Sequence, residues 1–199
     1  MSVQNRRERE RAERHRLIID TARELAETEG WDAVTVRKLA DRIEYSQPVL
    51  YSHFTGKRAI VTAVAEDGIA ELAARLRHAR TAAGTDSEAL AALARAYSEF
   101  AAERPAVYDA MFAMSTDLRF GPGAPQSLQD AFAELVAVLA PFAGDDDVES
   151  FTETGWSALH GLATLERRER LRPGLREDRL AILCRLLERG RVPDSAQGT

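Results

Sequence analysis

At 199 residues, 45% apolar and 30% charged, the chain is long enough for one or two compact domains with cores of their own. No apolar run reaches the roughly 20 residues that span a bilayer, the opening MSVQNRRERERAERHR lacks the apolar centre of a signal peptide, and the single cysteine, Cys184, excludes an intrachain disulfide, so a cytoplasmic protein is expected. The net charge of -5 argues against indiscriminate binding of polyanions, but residues 1–80 carry 15 Lys+Arg against 13 Asp+Glu while residues 81–199 carry 12 against 19.

Residues 1–15 are mostly Arg and Glu without apolar periodicity, which predicts a disordered arm or a frayed extension of the next helix. Such an arm can reach a minor groove, although Glu8, Glu10 and Glu13 nearly cancel its charge. Ile18, Ala22, Leu25 and Ala26 then mark an amphipathic helix that Gly30 can end as a C′ residue. Trp31 and Val34 are expected to close a small core.

Val36, Leu39, Ala40 and Ile43 fall at i, i+3, i+4 and i+7, one apolar stripe of a short helix with Thr35 placed to cap it. After Glu44 and Tyr45, Ser46 can cap a second short helix with Leu50 and Phe54 inward and Gln47, Pro48, Val49 and Ser52 outward. Pro48 costs nothing in a first turn, where its missing N–H has no partner to lose. Arg37, Lys38, Arg42, Lys57 and Arg58 gather around this pair of helices.

Helical spacing continues over 57–80, after Asp86 or Ser87, and from Pro105 to about residue 115, with Gly/Pro-rich DLRFGPGAP at 117–125 read as irregular. Leu128, Phe132, Leu135, Val136 and Leu139 define a further helix, the acidic run 145–147 suits a helix N-terminus, and two last helices are expected over about 148–171 and 176–189. No segment alternates as a strand would. The fold class is therefore all-α, about nine helices: an arm at 1–15, a three-helix helix-turn-helix head at 16–60, a helical bundle at 61–190 and a disordered tail at 191–199.

The pattern T-x-R-K-L-A from Thr35, then Leu50-Tyr51-x-His53-Phe54 and Lys57, closely resembles the helix-turn-helix of the tetracycline-repressor family of dimeric, ligand-controlled transcription factors. Trp156-Ser157-Ala158-Leu159-His160-Gly161, with Ala-Tyr-Ser-Glu-Phe-Ala-Ala-Glu-Arg-Pro over 96–105 followed by Tyr108 and Met111-Phe112, resembles one class of C-terminal domain in that family. Glu44 stands where the family usually has Gly, and a positive φ there would cost a non-Gly residue about 1 kcal/mol or more.

The resemblance implies a homodimer on double-stranded, pseudo-palindromic operator DNA, acting as a repressor that a small, largely apolar effector releases, with residues 57–80 as the lever. Arg37 and Gln47 are the candidate base readers, Arg suiting guanine O6/N7 and Gln adenine N6/N7, with Pro48 and Val49 beside them; taken singly, each polar residue would be an ordinary solvated side chain. Thr35, Ser46, Tyr51, His53 and Lys57 are candidate phosphate contacts, Tyr51 alternatively a core-edge aromatic. Tyr97, Phe100, Tyr108, Met111, Phe112, Phe120, Phe132, Trp156 and His160 are candidates for the effector pocket, though any one of them could instead be core.

The family's four-helix dimer interface falls on Gly155, Leu159, Leu162, Leu180, Leu183 and Leu187, and Gly155 and Gly161 weaken their helix by about 1 kcal/mol each unless another helix approaches closely. His160 can be a structural histidine or an effector contact. The rival from another class is a helical-bundle enzyme using His160 with Glu153 or Glu166, but no recognisable nucleophile set accompanies it. His53 has no partner at metal-ligand spacing, so neither metal nor cofactor is expected. An activator of the same family remains the alternative to a repressor.

Overall fold

The computed structural model describes residues 3–121 and 123–189; the tail expected at 191–199 lies outside the described residues. Among these are the α-helices α1 (Val3–Glu29), α2 (Val36–Arg42), α3 (Gln47–Tyr51), α4 (Lys57–Ala82), α5 (Asp86–Glu103), α6 (Pro105–Phe112), α7 (Gln126–Leu139), α8 (Val148–Arg167) and α9 (Arg176–Glu188). Single 3-10 turns lie at Trp31–Ala33 and Ala140–Phe142, and the described residues include no strand. None of their helices is long and apolar enough to cross a membrane. The chain sorts into two packing units, Met1–Ile69 with Arg104–Pro125, and Ala70–Glu103 with Gln126–Thr199.

In the first unit Ile18, Ala22 and Leu25 of α1 are buried with Val34, Leu39, Leu50 and Phe54, so the apolar stripes of three helices close on one another. Helix α1 begins at Val3, and residues 3–15 continue it rather than forming an irregular arm. Gly30 ends it with a φ of 81°, its N–H donating to the Ala26 carbonyl.

The same unit holds α6, although the sequence places a boundary at residue 60. Three contacts explain this. The Glu27 carboxylate accepts from the Ala106 and Val107 N–H groups at 3.1 and 3.2 Å, and Trp31 Nε1 donates to the Ala106 carbonyl at 2.8 Å. Gly68 of α4 lies so close to α6 that a Cβ there would stand 2.3 Å from Val107 Cγ1 and 3.1 Å from Met111 Sδ.

The second unit is built around α5, whose Leu90, Leu93, Ala94, Tyr97, Phe100 and Ala101 are buried on one face against α7, α8 and α9. Asp147 caps α8 by accepting from the Ser150 N–H at 2.9 Å. Among the described residues the buried charge in this core is Glu134, held by Arg77 Nε at 2.7 Å and Arg80 Nε at 2.8 Å. Cys184 is buried, and that burial pushes its thiol pKa up, as befits a small apolar core residue. Helix α8 stops at Arg167 rather than near residue 171, because Glu169 takes a φ of 54° and the Arg170 N–H folds back to the Leu165 carbonyl at 2.9 Å.

Candidate functional site

Thr35 Oγ1 accepts from the Lys38 N–H at 3.1 Å, which starts α2 where the sequence places it. The helix ends in a Schellman motif: Glu44 sits at C′ with a φ of 57°, and the Tyr45 N–H donates to the Ala40 carbonyl at 3.0 Å. The turn geometry that usually calls for Gly is thus made by a glutamate. Ser46 occupies the N-cap position of α3 through its backbone, but its hydroxyl makes no cap bond, contrary to the sequence expectation. Pro48 lies in the first turn.

Leu50 and Phe54 anchor α3 in the core and leave Gln47, Pro48, Tyr51 and Ser52 exposed, with Val49 and His53 half-buried. The Arg37 side chain is 82% exposed and 4.0 Å from Asp41. The other cations are engaged within the unit: Lys38 with Glu29 at 2.5 Å, Arg42 with Glu24 at 2.9 Å, Arg58 with Asp117 at 2.6 Å, and Lys57 through a hydrogen bond to the Trp31 carbonyl. Lys57 is therefore half-buried and committed inside the chain, a poorer phosphate contact than its position in the motif implies.

Sequence reasoning missed what lies beside α3. Arg11 Nη2 donates to the Ser52 carbonyl at 3.2 Å, and the His15 ring stacks on Phe54 with centroids 4.5 Å apart and stands 6.0 Å from His53. Burial, reinforced by the charges of Arg11, His15 and Arg14, holds the His53 pKa below the ordinary histidine value. A signal existed in the i, i+4 spacing of Arg11 and His15, but it is read only once residues 3–15 are taken as helix.

In the second unit the W-x-x-x-H-G residues come together with Tyr97. Trp156 Nε1 donates to the buried Tyr97 hydroxyl at 3.0 Å, the same hydroxyl lies 3.4 Å from His160 Nδ1, and His160 Nε2 lies 3.4 Å from Thr164 Oγ1. Burial, and secondarily Arg167, lowers the His160 pKa, favouring a neutral ring. Phe100 is fully buried under the Arg75 guanidinium, 5.3 Å away, and Phe132 is half-buried. Of the carboxylates considered with His160, Glu166 accepts from Arg176 and Arg179 at 3.0 Å each, and Glu153 is exposed.

The remaining pocket candidates belong to the first unit: Tyr108 and Met111 are buried, Tyr108 packs edge-on against Phe112 at 4.9 Å, and Phe120 is 54% exposed. Of the dimer candidates, Gly155, Leu159 and Leu180 are buried within the second unit, and Gly155 faces Leu139 and Leu187. Leu162, Leu183 and Leu187 are half-buried, whereas Leu165, Ile182 and Leu186 are 44%, 48% and 53% exposed and were not singled out from sequence. Gly161 is half-buried, and among the described residues none would lie within 4 Å of a Cβ added there.

The family model for the N-terminal domain of bacterial regulatory proteins of the tetR family matches residues 18–64, and that for the tetracyclin repressor-like C-terminal domain matches residues 90–189. An uncharacterised HTH-type transcriptional regulator of Bacillus subtilis, YobS, is 30% identical over 157 residues, covering 77% of this chain and 79% of that one. The class A tetracycline repressor of Escherichia coli, from transposon 1721, is 46% identical over 54 residues, 27% of this chain and 25% of its own. A solved structure of a protein of unknown function from Rhodococcus superposes with a TM-score of 0.75 over 89% of this chain and 94% of its own, at 24% identity, which speaks for the fold alone. Two matched domain models and a relative 30% identical over 77% of this chain establish that this chain belongs to the TetR family of DNA-binding transcriptional regulators.

Proposed function

We propose that the protein is a homodimeric repressor that binds a pseudo-palindromic operator through α3 and leaves it when a small, largely apolar effector occupies the second unit. The observation that carries the reading is the anchoring of α3: a buried Leu50 and Phe54 hold a short helix whose first turn offers Gln47 and Pro48 to solvent, with Arg37 exposed on α2. A helix so presented reads base edges from its N-terminal end. Gln47 and Arg37 read bases, Pro48 and Val49 make apolar contact, and Thr35, Ser46, Tyr51 and His53 fix register on phosphates. The unengaged Ser46 cap hydroxyl is consistent with that role.

Tyr97, Trp156 and His160 are the polar groups an effector would meet, with Phe100 and Phe132 as apolar neighbours. A neutral His160 ring offers no positive charge to an anionic ligand, which suits an uncharged effector. The effector acts by binding better to a conformation in which the heads are misplaced, so that its differential affinity sets the loss of operator affinity; α4, which contributes residues to both units, is the lever. The dimer seam runs through Gly161, Leu165, Ile182 and Leu186, since these are open while Gly155, Leu159 and Leu180 are not. Selection of bound duplex from a random pool tests the reading: it yields a two-fold symmetric site, with half-sites about 34 Å apart or a multiple of that. Recovery of unselected sequence would contradict it.

A further inference from the structure

We propose that the N-terminal extension of α1 is a second DNA-contacting element, which grips the phosphodiester backbone beside the recognition helix through Arg7, Arg11 and Arg14. The inference rests on the DNA-binding reading of α3 and adds a surface to it. In sequence, the five Arg of residues 6–14 are interleaved with three Glu that offset part of their charge. The helix keeps Arg7 and Arg11 off the flank that carries Glu10 and Glu13, while Arg14 stands at the edge of that flank. Arg7, Arg11 and Arg14 fall at i, i+4 and i+7, one face of α1, in line with Ile18 and Leu25 of the core stripe. Glu10 and Glu13 fall on the flank that, with Arg14, Leu17 and Tyr45, borders a shallow depression of ≈ 420 Å3, and Glu10 is further neutralised by Arg6 at 2.8 Å.

Placement decides what this face meets. Arg11 donates to Ser52 just past the C-terminus of α3, His15 stacks on Phe54, and Arg14 and Leu17 border, with Tyr45, the depression just before its N-terminus. Residues 10–17 therefore flank the recognition helix, and Arg7 sits one turn further out. When α3 lies in a major groove its flanks are lined by phosphates, and cations there meet the backbone. The need for such cations is plain in the first unit, where Lys38, Arg42, Lys57 and Arg58 are bound to Glu29, Glu24, the Trp31 carbonyl and Asp117. The helical state also excludes the minor groove, because a helix about 10–12 Å across does not enter a groove about 6 Å wide. The element thus adds affinity and footprint without reading sequence.

The test compares the full-length protein, the variant Arg7→Gln/Arg11→Gln/Arg14→Gln, the single variant Arg7→Glu and Gln47→Ala on two probes, a duplex selected from a random pool and an unselected 30-base-pair duplex, over a salt series. The triple variant is expected to lose affinity for both duplexes by a similar factor of at least about tenfold, with the slope of log affinity against log salt reduced by about 2 to 3. Arg7→Glu, far from the core, reproduces part of that loss, and hydroxyl-radical protection shrinks at the flanks of the site. Unchanged slopes in both arginine variants, alongside loss of preference in Gln47→Ala, would overturn the proposal while leaving the function reading intact. Absence of any preference in the wild-type protein would overturn both.

Discussion

Trp31 and Ala106 are 75 residues apart in sequence and joined by a 2.8 Å hydrogen bond from the indole Nε1 to the carbonyl oxygen. Beside it, Glu27 caps α6 by accepting two backbone N–H bonds, a carboxylate at the positive end of a helix. Glu27→Gln weakens charge-assisted bonds and is expected to cost about 1 kcal/mol; Trp31→Phe removes one bond and part of the packing at a similar cost. Gly68→Ala forces a methyl into Val107 and is expected to cost about 1–3 kcal/mol. Urea midpoints measured on the three variants check these values, and a midpoint unchanged in Gly68→Ala would contradict the close approach of α4 and α6.

Among the described residues, the two non-glycine residues with positive φ are both glutamates at helix C′ positions, Glu44 after α2 and Glu169 after α8. An L residue is strained there, and a negative charge opposes the helix dipole. Glu44→Gly and Glu169→Gly are each expected to raise stability by about 1 kcal/mol, since the strain relieved exceeds the entropy glycine adds to the unfolded chain. Thermal melts of each variant read this directly, and a lowered melting temperature in both would refute the strain.

Glu134 makes acid stability specific. Its burial by itself would raise the carboxyl pKa, but hydrogen bonds from Arg80 and Arg77 outweigh that and hold it below the ordinary carboxylate range. A folded-state pKa below the unfolded value means stability that is present above about pH 4.3 and lost as pH falls through the folded value. Glu134→Gln is expected to cost about 1.5–3 kcal/mol near neutrality and to flatten the decline in stability below about pH 4.3. Chemical denaturation at a series of pH values distinguishes the two proteins.

His53 titrates in the opposite sense on DNA. In the free protein burial, with Arg11, His15 and Arg14 nearby, disfavours its charged form, so protonation is a cost to the fold that grows as pH falls below the ordinary histidine value. A phosphate beside the ring favours the charged form, so binding takes up a proton and operator affinity is expected to rise several-fold as pH falls from about 8 to about 6. In His53→Gln that rise is expected to shrink; an identical profile would remove His53 from the phosphate contacts.

The helices were legible because their apolar stripes and caps are local. Thr35 and Asp147 stand at N-caps, Val36, Leu39 and Ala40 repeat at helical spacing as do Leu50 and Phe54, and Gly30 ends α1. What the sequence hid depends on contacts distant along the chain. Nothing local to Trp31 or Glu27 announces α6 as their partner, and Gly68 is silent until Val107 is placed against it. The basic face of α1 was obscured because charge was summed along a segment expected to be a disordered arm or a frayed helical extension, rather than sorted around a helix. On α8 and α9 the periodicity identifies two faces, and only burial shows that Leu159 and Leu180 face inward while Leu165, Ile182 and Leu186 do not.

The exposed Ile182 and Leu186 give the dimer a direct check. Ile182→Glu with Leu186→Glu places two charges in the proposed seam, which a closed apolar interface does not tolerate. Sedimentation is expected to show a monomer that keeps its helical content and binds operator far more weakly, and a dimer of unchanged strength would move the seam elsewhere.

The central claim is that Gln47 and Arg37 read sequence from a helix held by Leu50 and Phe54. Fluorescence anisotropy with a selected duplex and a random duplex at moderate salt measures it. The wild-type protein is expected to prefer the selected duplex by about a thousandfold or more, and Gln47→Ala with Arg37→Ala to erase most of that preference while affinity for random duplex changes little. Equal affinity of the wild-type protein for both duplexes, or a preference that survives both substitutions, would contradict the account.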